Sequence, residues 1–157
     1  MAPVLTLRPA VPADLAAVDA LLARSYPRLL RRDYPPSVMV TAVPLLARAR
    51  PELLGSGTYW VAAEADGRIV GAGGWTRGGG DAGDVRHVVT DADRTRRGIG
   101  RALMEQARRA GLRRLHCAAT RTAVPFYAAL GFEALGPLAV ELRPAVVFPA
   151  VAMRRTL

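Results

Sequence analysis

Residues 4–8 alternate apolar and polar positions, the period of a half-buried strand, and Pro9 and Pro12 stop the run. From Asp14 the period changes. Leu15, Val18, Leu21 and Leu22 recur at helical spacing and predict a helix with one buried face. Between Ser25 and Leu54 the prolines at 27, 35, 36, 44 and 51 punctuate the pattern, and residues 38–48 are compatible with a helix kinked at Pro44. Two β-rich runs, 58–65 and 68–75, flank Asp66-Gly67, a strong signal for a hairpin turn. The glycines at 78, 79 and 80 lead into a strand at 84–90. Ile99, Leu103, Ala107 and Ala110 then line one face of a helix over 94–111, with Gly111 as its stop. A strand at 112–120, a helix at 122–130 closed by Gly131, and late strands at 132–142 and 146–153 complete the order βααβββαβαββ. No repeat, linker or second-domain boundary interrupts it, so residues 1–157 read as a single domain.

The composition, 51% hydrophobic and 22% charged over 157 residues, is that of a folded chain with a sizeable core. The longest mostly apolar stretch, 144–153, is short for a bilayer and broken by proline, and the first ten residues lack a signal-peptide layout. A cytoplasmic protein with no membrane partner is expected. Cys117, the only cysteine, lies in an apolar run and reads as a small buried hydrophobe. With His87 and His116 the only histidines, no metal site is expected. A net charge of +9 raises nucleic acid as a partner. All 22 basic residues are arginine, however, and asparagine is also absent, which points to a compositional bias across the whole chain. The arginines are scattered apart from Arg94, Arg96, Arg97 and Arg101, and no aromatic-basic platform accompanies them, so a nucleic-acid partner is not expected.

That cluster falls where a strand ends, a glycine-containing turn follows and a helix begins. Unpaired N–H groups at a helix start, the helix dipole and flanking guanidiniums together make a phosphate cradle. A Walker loop needs a lysine, and the chain has none. A dinucleotide fingerprint needs a small residue where Leu103 stands.

The segment Arg96-Arg97-Gly98-Ile99-Gly100-Arg101-Ala102-Leu103, followed by Pro125-Phe126-Tyr127-Ala128-Ala129-Leu130-Gly131-Phe132, resembles the GNAT superfamily of acetyl-CoA-dependent N-acetyltransferases. The resemblance implies an α/β (α+β) fold: a mixed, mostly antiparallel sheet of six to seven strands, about four helices, and a splay between the fourth and fifth strands. It implies acetyl-CoA as cofactor, with the pyrophosphate held by the backbone of Thr95, Arg96, Arg97, Gly98, Ile99, Gly100, Arg101 and Ala102. Thr95 stands where the family commonly has Arg or Gln. The pantetheine arm would pair with the backbone of Val88, Val89 and Thr90. Thr120 replaces a common asparagine contact, and Val124 and Phe126 would line the pantetheine and acyl end. Homodimers are common among such proteins, and residues 25–54 would form a substrate-side lid.

Acyl transfer to an amine needs a base for the ammonium and an acid for the departing thiolate. By resemblance Tyr127 is that acid, and a phenol is protonated at neutral pH. For the base, Asp84 matches a position where some relatives carry glutamate, His87 suits proton relay, Glu64 is a third choice, and a water chain is a fourth. Simple alternation places Asp84 and His87 on opposite faces of their strand. The expected reaction moves acetyl to a primary amine of a small molecule or peptide. The alternative is an acyl-CoA-binding module without turnover.

Overall fold

A computed structural model describes residues 5–91 and 97–157, and of Arg97 only the backbone. Seven strands form one sheet: β1 (Thr6–Pro9), β2 (Tyr59–Ala63), β3 (Ile69–Arg77), β4 (Ala82–Thr90), β5 (Arg114–Ala119), β6 (Glu133–Arg143) and β7 (Val146–Thr156), ordered β1-β2-β3-β4-β5-β7-β6. All neighbours are antiparallel except β4 and β5, which run parallel. The helices among the described residues are α1 (Leu15–Leu30), α2 (Pro36–Thr41), α3 (Val43–Leu46), α4 (Pro51–Leu54), α5 (Arg97–Arg109) and α6 (Val124–Ala129). None of them is long and apolar enough to cross a membrane. The mixed, mostly antiparallel architecture expected from the sequence is present.

Two details of the helical segment differ from the sequence reading. The kinked helix expected over 38–48 is two short helices meeting at Ala42, because Pro44 lacks an N–H and sits in the first turn of α3, where none is required. Pro51 starts a further short helix in the same way, so the helical segments exceed the expected four.

The sheet separates two cores. On one side α1 to α4 bury Leu21, Leu22, Leu30, Val43 and Leu54 against Val61, Ala72 and Val89. On the other, α5 and α6 bury Leu103, Ala107 and Tyr127 against Ala62, Trp75, Leu115 and Met153. Adjacent residues such as Val61 and Ala62 therefore serve opposite cores, as a pleated strand requires. The first turn of α5 lies close on β3. A Cβ on Gly71 would run into Ile99 Cδ1, and one on Gly73 would stand 2.9 Å from Val88 Cγ2 and 3.2 Å from Ile99 Cγ2.

The Asp66-Gly67 turn forms as its sequence dictates. Gly67 has φ +88° and donates its N–H to the Glu64 carbonyl at 2.8 Å, and the Asp66 carboxylate accepts from the Arg68 N–H at 2.9 Å. At the far end of β4, Arg24 of α1 grips Asp91 with two bonds, Nε to Oδ1 at 2.8 Å and Nη2 to Oδ2 at 3.0 Å, and also donates to the Ile69 carbonyl at 3.1 Å.

Two irregularities shape the middle of the sheet. The parallel strands β4 and β5 pair only from Ala82–Arg114 to Asp84–His116, and beyond that rung they part. In the same stretch Ala72 faces Val89 and Gly74 faces Arg86, so His87 and Val88 together oppose Gly73. This is a β-bulge, with His87 at φ +44°. Alternation does not run through it. Val85 and Val88, three positions apart, both pack on the α5 side.

Candidate active site

The parting of β4 and β5 opens a cavity of about 140 Å³ that reaches both faces of the sheet. On the α5 side Val88, Ala119 and Tyr127 line it, and on the α1 side Leu30, Arg50 and His87 do. Main-chain groups of β4 beyond Asp84 have no β5 partner in register, so an extended ligand can pair with them as a strand would.

Tyr127 reaches the cavity from α6, which follows a 3-10 turn at Arg121–Ala123. Thr120 caps that turn, its hydroxyl accepting from the Ala123 N–H at 3.1 Å. Edge-on contacts with Phe126 at 5.0 Å and Phe132 at 5.3 Å fix the Tyr127 ring, which is 6% exposed. Tyr127 and Cys117 of β5 line the same cavity. Cys117 itself is buried, and burial pushes its thiol up to about 12, which keeps it protonated and unreactive, as its apolar run suggested.

His87 sits at the bulge. Its carbonyl accepts from the buried Tyr59 hydroxyl at 3.0 Å, which pins the bulge from the α1 side. Burial first, then the nearby Arg50 and Arg86 guanidiniums, lower its imidazole to about 4, with Glu52 acting in the opposite direction. The ring is therefore a neutral proton acceptor at pH 7. The same shift has a consequence for stability. As pH falls below about 6.5 the unfolded chain takes up a proton that the folded chain refuses until about pH 4, so stability is full above that window and falls through it. The loss should approach about 3 kcal/mol from this group. Urea unfolding of wild type and His87→Asn between pH 7 and 4.5 checks this, since Asn tolerates positive φ. The variant should lose most of the slope, and equal slopes would show that the imidazole is not desolvated.

Asp84 stands on the last paired rung of β4 and β5, half-exposed, its Oδ2 3.8 Å from Arg86 Nη2. It lines an open groove with Arg86 and His116 rather than the enclosed cavity. Glu64 closes the β2–β3 turn and lines neither. Val88 and Val89 line the cavity, and Thr90 is buried at the end of β4.

Thr95 and Arg96 lie outside the described residues, and Arg97 opens α5. Gly98 is exposed, and a Cβ there would meet nothing within 4 Å among the described residues, which leaves that side of the first turn open to a ligand. Ile99 is buried, and Gly100 faces inward, where a Cβ would stand 2.8 Å from Leu130 Cδ1 and 3.1 Å from Phe126 Cζ. Arg101 is exposed and Ala102 half-buried. Val124 packs into the α5-side core, and Phe126 fills the space between Gly100 and Tyr127.

Arg50 and Arg86 line the cavity and were not singled out from the sequence. Among scattered arginines no spacing marks them. Only the start of α4 after Arg50 and the bulge after Arg86 bring them to one place. No group of histidine, cysteine and carboxylate side chains among the described residues could hold a metal ion.

These residues suit a long, thin ligand with an anionic end: an unpaired strand edge along its length, an open helix start at one end, and a phenol lining the gap between the strands at the other. The family model described as Acetyltransferase (GNAT) domain matches residues 55–134, half of the chain. No curated protein matches the sequence. Among solved structures, a GCN5-related N-acetyltransferase from Rhodopseudomonas palustris superposes with a TM-score of 0.76 at 24% identity, covering 100% of this chain and 99% of that one. A GCN5-related N-acetyltransferase from Kribbella flavida gives 0.63 at 24% identity, with 98% of each chain covered. The PaiA N-acetyltransferase from Thermoplasma acidophilum, solved with coenzyme A, gives 0.67 at 12% identity over 98% of this chain and 99% of that one. Likeness at these identities concerns the fold, while the family match concerns the site-bearing segment from β2 to the start of β6. The chain belongs to the GNAT acetyltransferases, enzymes that take an acetyl group from acetyl-CoA.

Proposed function

We propose that this enzyme transfers acetyl from acetyl-CoA to a primary amine of a small molecule or peptide, by direct attack and without an acyl-enzyme. The observation that carries this reading is the cavity at the β4–β5 parting, which Tyr127 lines on the α5 side and which continues between the strands to the α1 side. Acetyl-CoA supplies the acyl group as a thioester.

The backbone from Thr95 to Ala102 binds its pyrophosphate through N–H groups that a helix start leaves unpaired, and nearby arginines add charge. The backbone of Val88, Val89 and Thr90 aligns the pantetheine arm. The Val88 N–H, at the bulge, polarises the thioester carbonyl. Thr120 is committed to its cap and helps by holding the turn before α6, while Val124 and Phe126 support the ring of Tyr127.

The amine arrives from the α1 side. His87, a weak base facing that half of the cavity, passes the ammonium proton on to water without holding it, and Asp84 borders the groove by which the amine enters. As the nitrogen–carbon bond forms and the carbon–sulfur bond breaks, Tyr127 donates its proton to the leaving sulfur. The whole chain, residues 1–157, acts as one domain.

Calorimetric titration with acetyl-CoA, followed by thiol release in the presence of amines, tests the reading. Saturable one-to-one binding and amine-dependent thiol release are expected. Binding without release from any amine would make the protein an acyl-CoA-binding module, and no binding would reject both.

A further inference from the structure

We propose that the acceptor amine carries a carboxylate, received by Arg50 and Arg86 at the α1 side of the cavity. The proposal rests on the acyl-transfer reading of that cavity. Arg50 immediately precedes α4, and Arg86 is the last regular residue before the bulge. Both line the cavity, and both lie close enough to His87 for their charge to act on its imidazole. Glu52 is the only carboxylate that acts on it in the opposite sense, and it does not line the cavity.

Arg86 is partly engaged, its Nε donating to Thr76 Oγ1 at 3.0 Å and its Nη2 lying 3.8 Å from Asp84. Arg50 is exposed and has no hydrogen-bond or ion-pair partner among the described residues. Two guanidiniums lining one cavity, one of them without a side-chain partner among the described residues, make an anion receptor, and the guanidinium fork matches a carboxylate. No carboxylate among the described residues lines the cavity, so a polyamine would meet two like charges there. The remaining wall on this side, Leu29, Leu30, Leu46, Leu142 and Phe148, is apolar. The arrangement sorts the ends of one small molecule. Its carboxylate lies against Arg50 and Arg86, its amine nitrogen beside His87 and the parting of the strands, and its side chain against leucines. An α-amino acid with an apolar side chain has that shape.

The test is thiol release from acetyl-CoA with the L-α-amino acids, each paired with its own carboxamide, and with spermidine as a polycation. An apolar amino acid should be acetylated with kcat/KM about 10- to 100-fold above its amide, the range of a charge-assisted bond. Arg50→Gln, at an exposed position, should raise KM for that amino acid about tenfold or more, with calorimetric acetyl-CoA affinity held. Preference for the amides or for spermidine overturns the proposal. So does refusal of every free amino acid by protein that binds acetyl-CoA, or an Arg50→Gln variant with unchanged KM. In those cases the acyl-transfer reading stands. Absence of acetyl-CoA binding by the wild type removes that reading as well.

Discussion

Gly98→Glu should weaken acetyl-CoA binding by at least about 100-fold, the worth of roughly two charge-assisted hydrogen bonds at about 1.5–3 kcal/mol each. The carboxylate would occupy the open side of the first turn of α5, where the pyrophosphate is proposed to sit, and oppose it in charge. The test is clean because the fold should not suffer. A Cβ at Gly98 meets nothing within 4 Å, glutamate is a better helix former than glycine by about 0.5–1 kcal/mol, and a negative charge near a helix N-terminus is favourable. The melting temperature should hold or rise while calorimetric binding disappears. Full-strength binding by the variant would place the pyrophosphate elsewhere. Gly100 offers no such test, since a side chain there collides with Leu130 and Phe126, and loss of binding would be confounded with loss of packing.

Tyr127→Phe should lower kcat about 100-fold, at the lower end of what a positioned proton donor supplies, with acetyl-CoA affinity close to wild type. The ring and its contacts with Phe126 and Phe132 remain in the variant, so only the hydroxyl is removed. A structural role for the hydroxyl would show as a lowered melting temperature. Steady-state kinetics alongside thermal unfolding separate the two. An unchanged kcat with an intact fold would mean that the thiolate leaves without a proton from this residue.

Much of the architecture was legible because local signals and global fold agree. Asp66-Gly67 specified its hairpin, the spacing of Leu15, Val18, Leu21 and Leu22 specified α1, and the glycine-arginine run before Leu103 marked the start of α5. What the sequence hid has physical reasons. Counting residues along β4 assumes one partner per position on β3, and the two-against-one pairing at Gly73 breaks that count without any residue type announcing it. The paired arginines were invisible because Arg50 and Arg86 belong to different elements, and their meeting is a property of how α4 docks beside the sheet. The prolines from 27 to 51 suggested interruption, yet α1 continues through Pro27, carried by the burial of Tyr26 and Leu30. The family match covers β2 to the start of β6 and leaves out both α1 to α4 and most of the last hairpin. Apart from Arg86 and His87, the acceptor half of the cavity is built from those omitted parts, so the match speaks more to the cofactor than to the amine.

The bulge at His87 also bears on which changes in chain length β4 can absorb. Because two of its residues answer one on β3, deleting a single residue there would leave a regular strand that still pairs along its whole length. Such a deletion would restore strict alternation, with Val85 and Val88 still on the α5 side and Val89 still in the α1 core. Its effect would fall on the local bend and on the contact between the Tyr59 hydroxyl and the backbone at position 87, while both cores keep their residues. In descendants of this chain, loss of the bulge residue should therefore leave the fold standing and alter only the His87 side of the cavity.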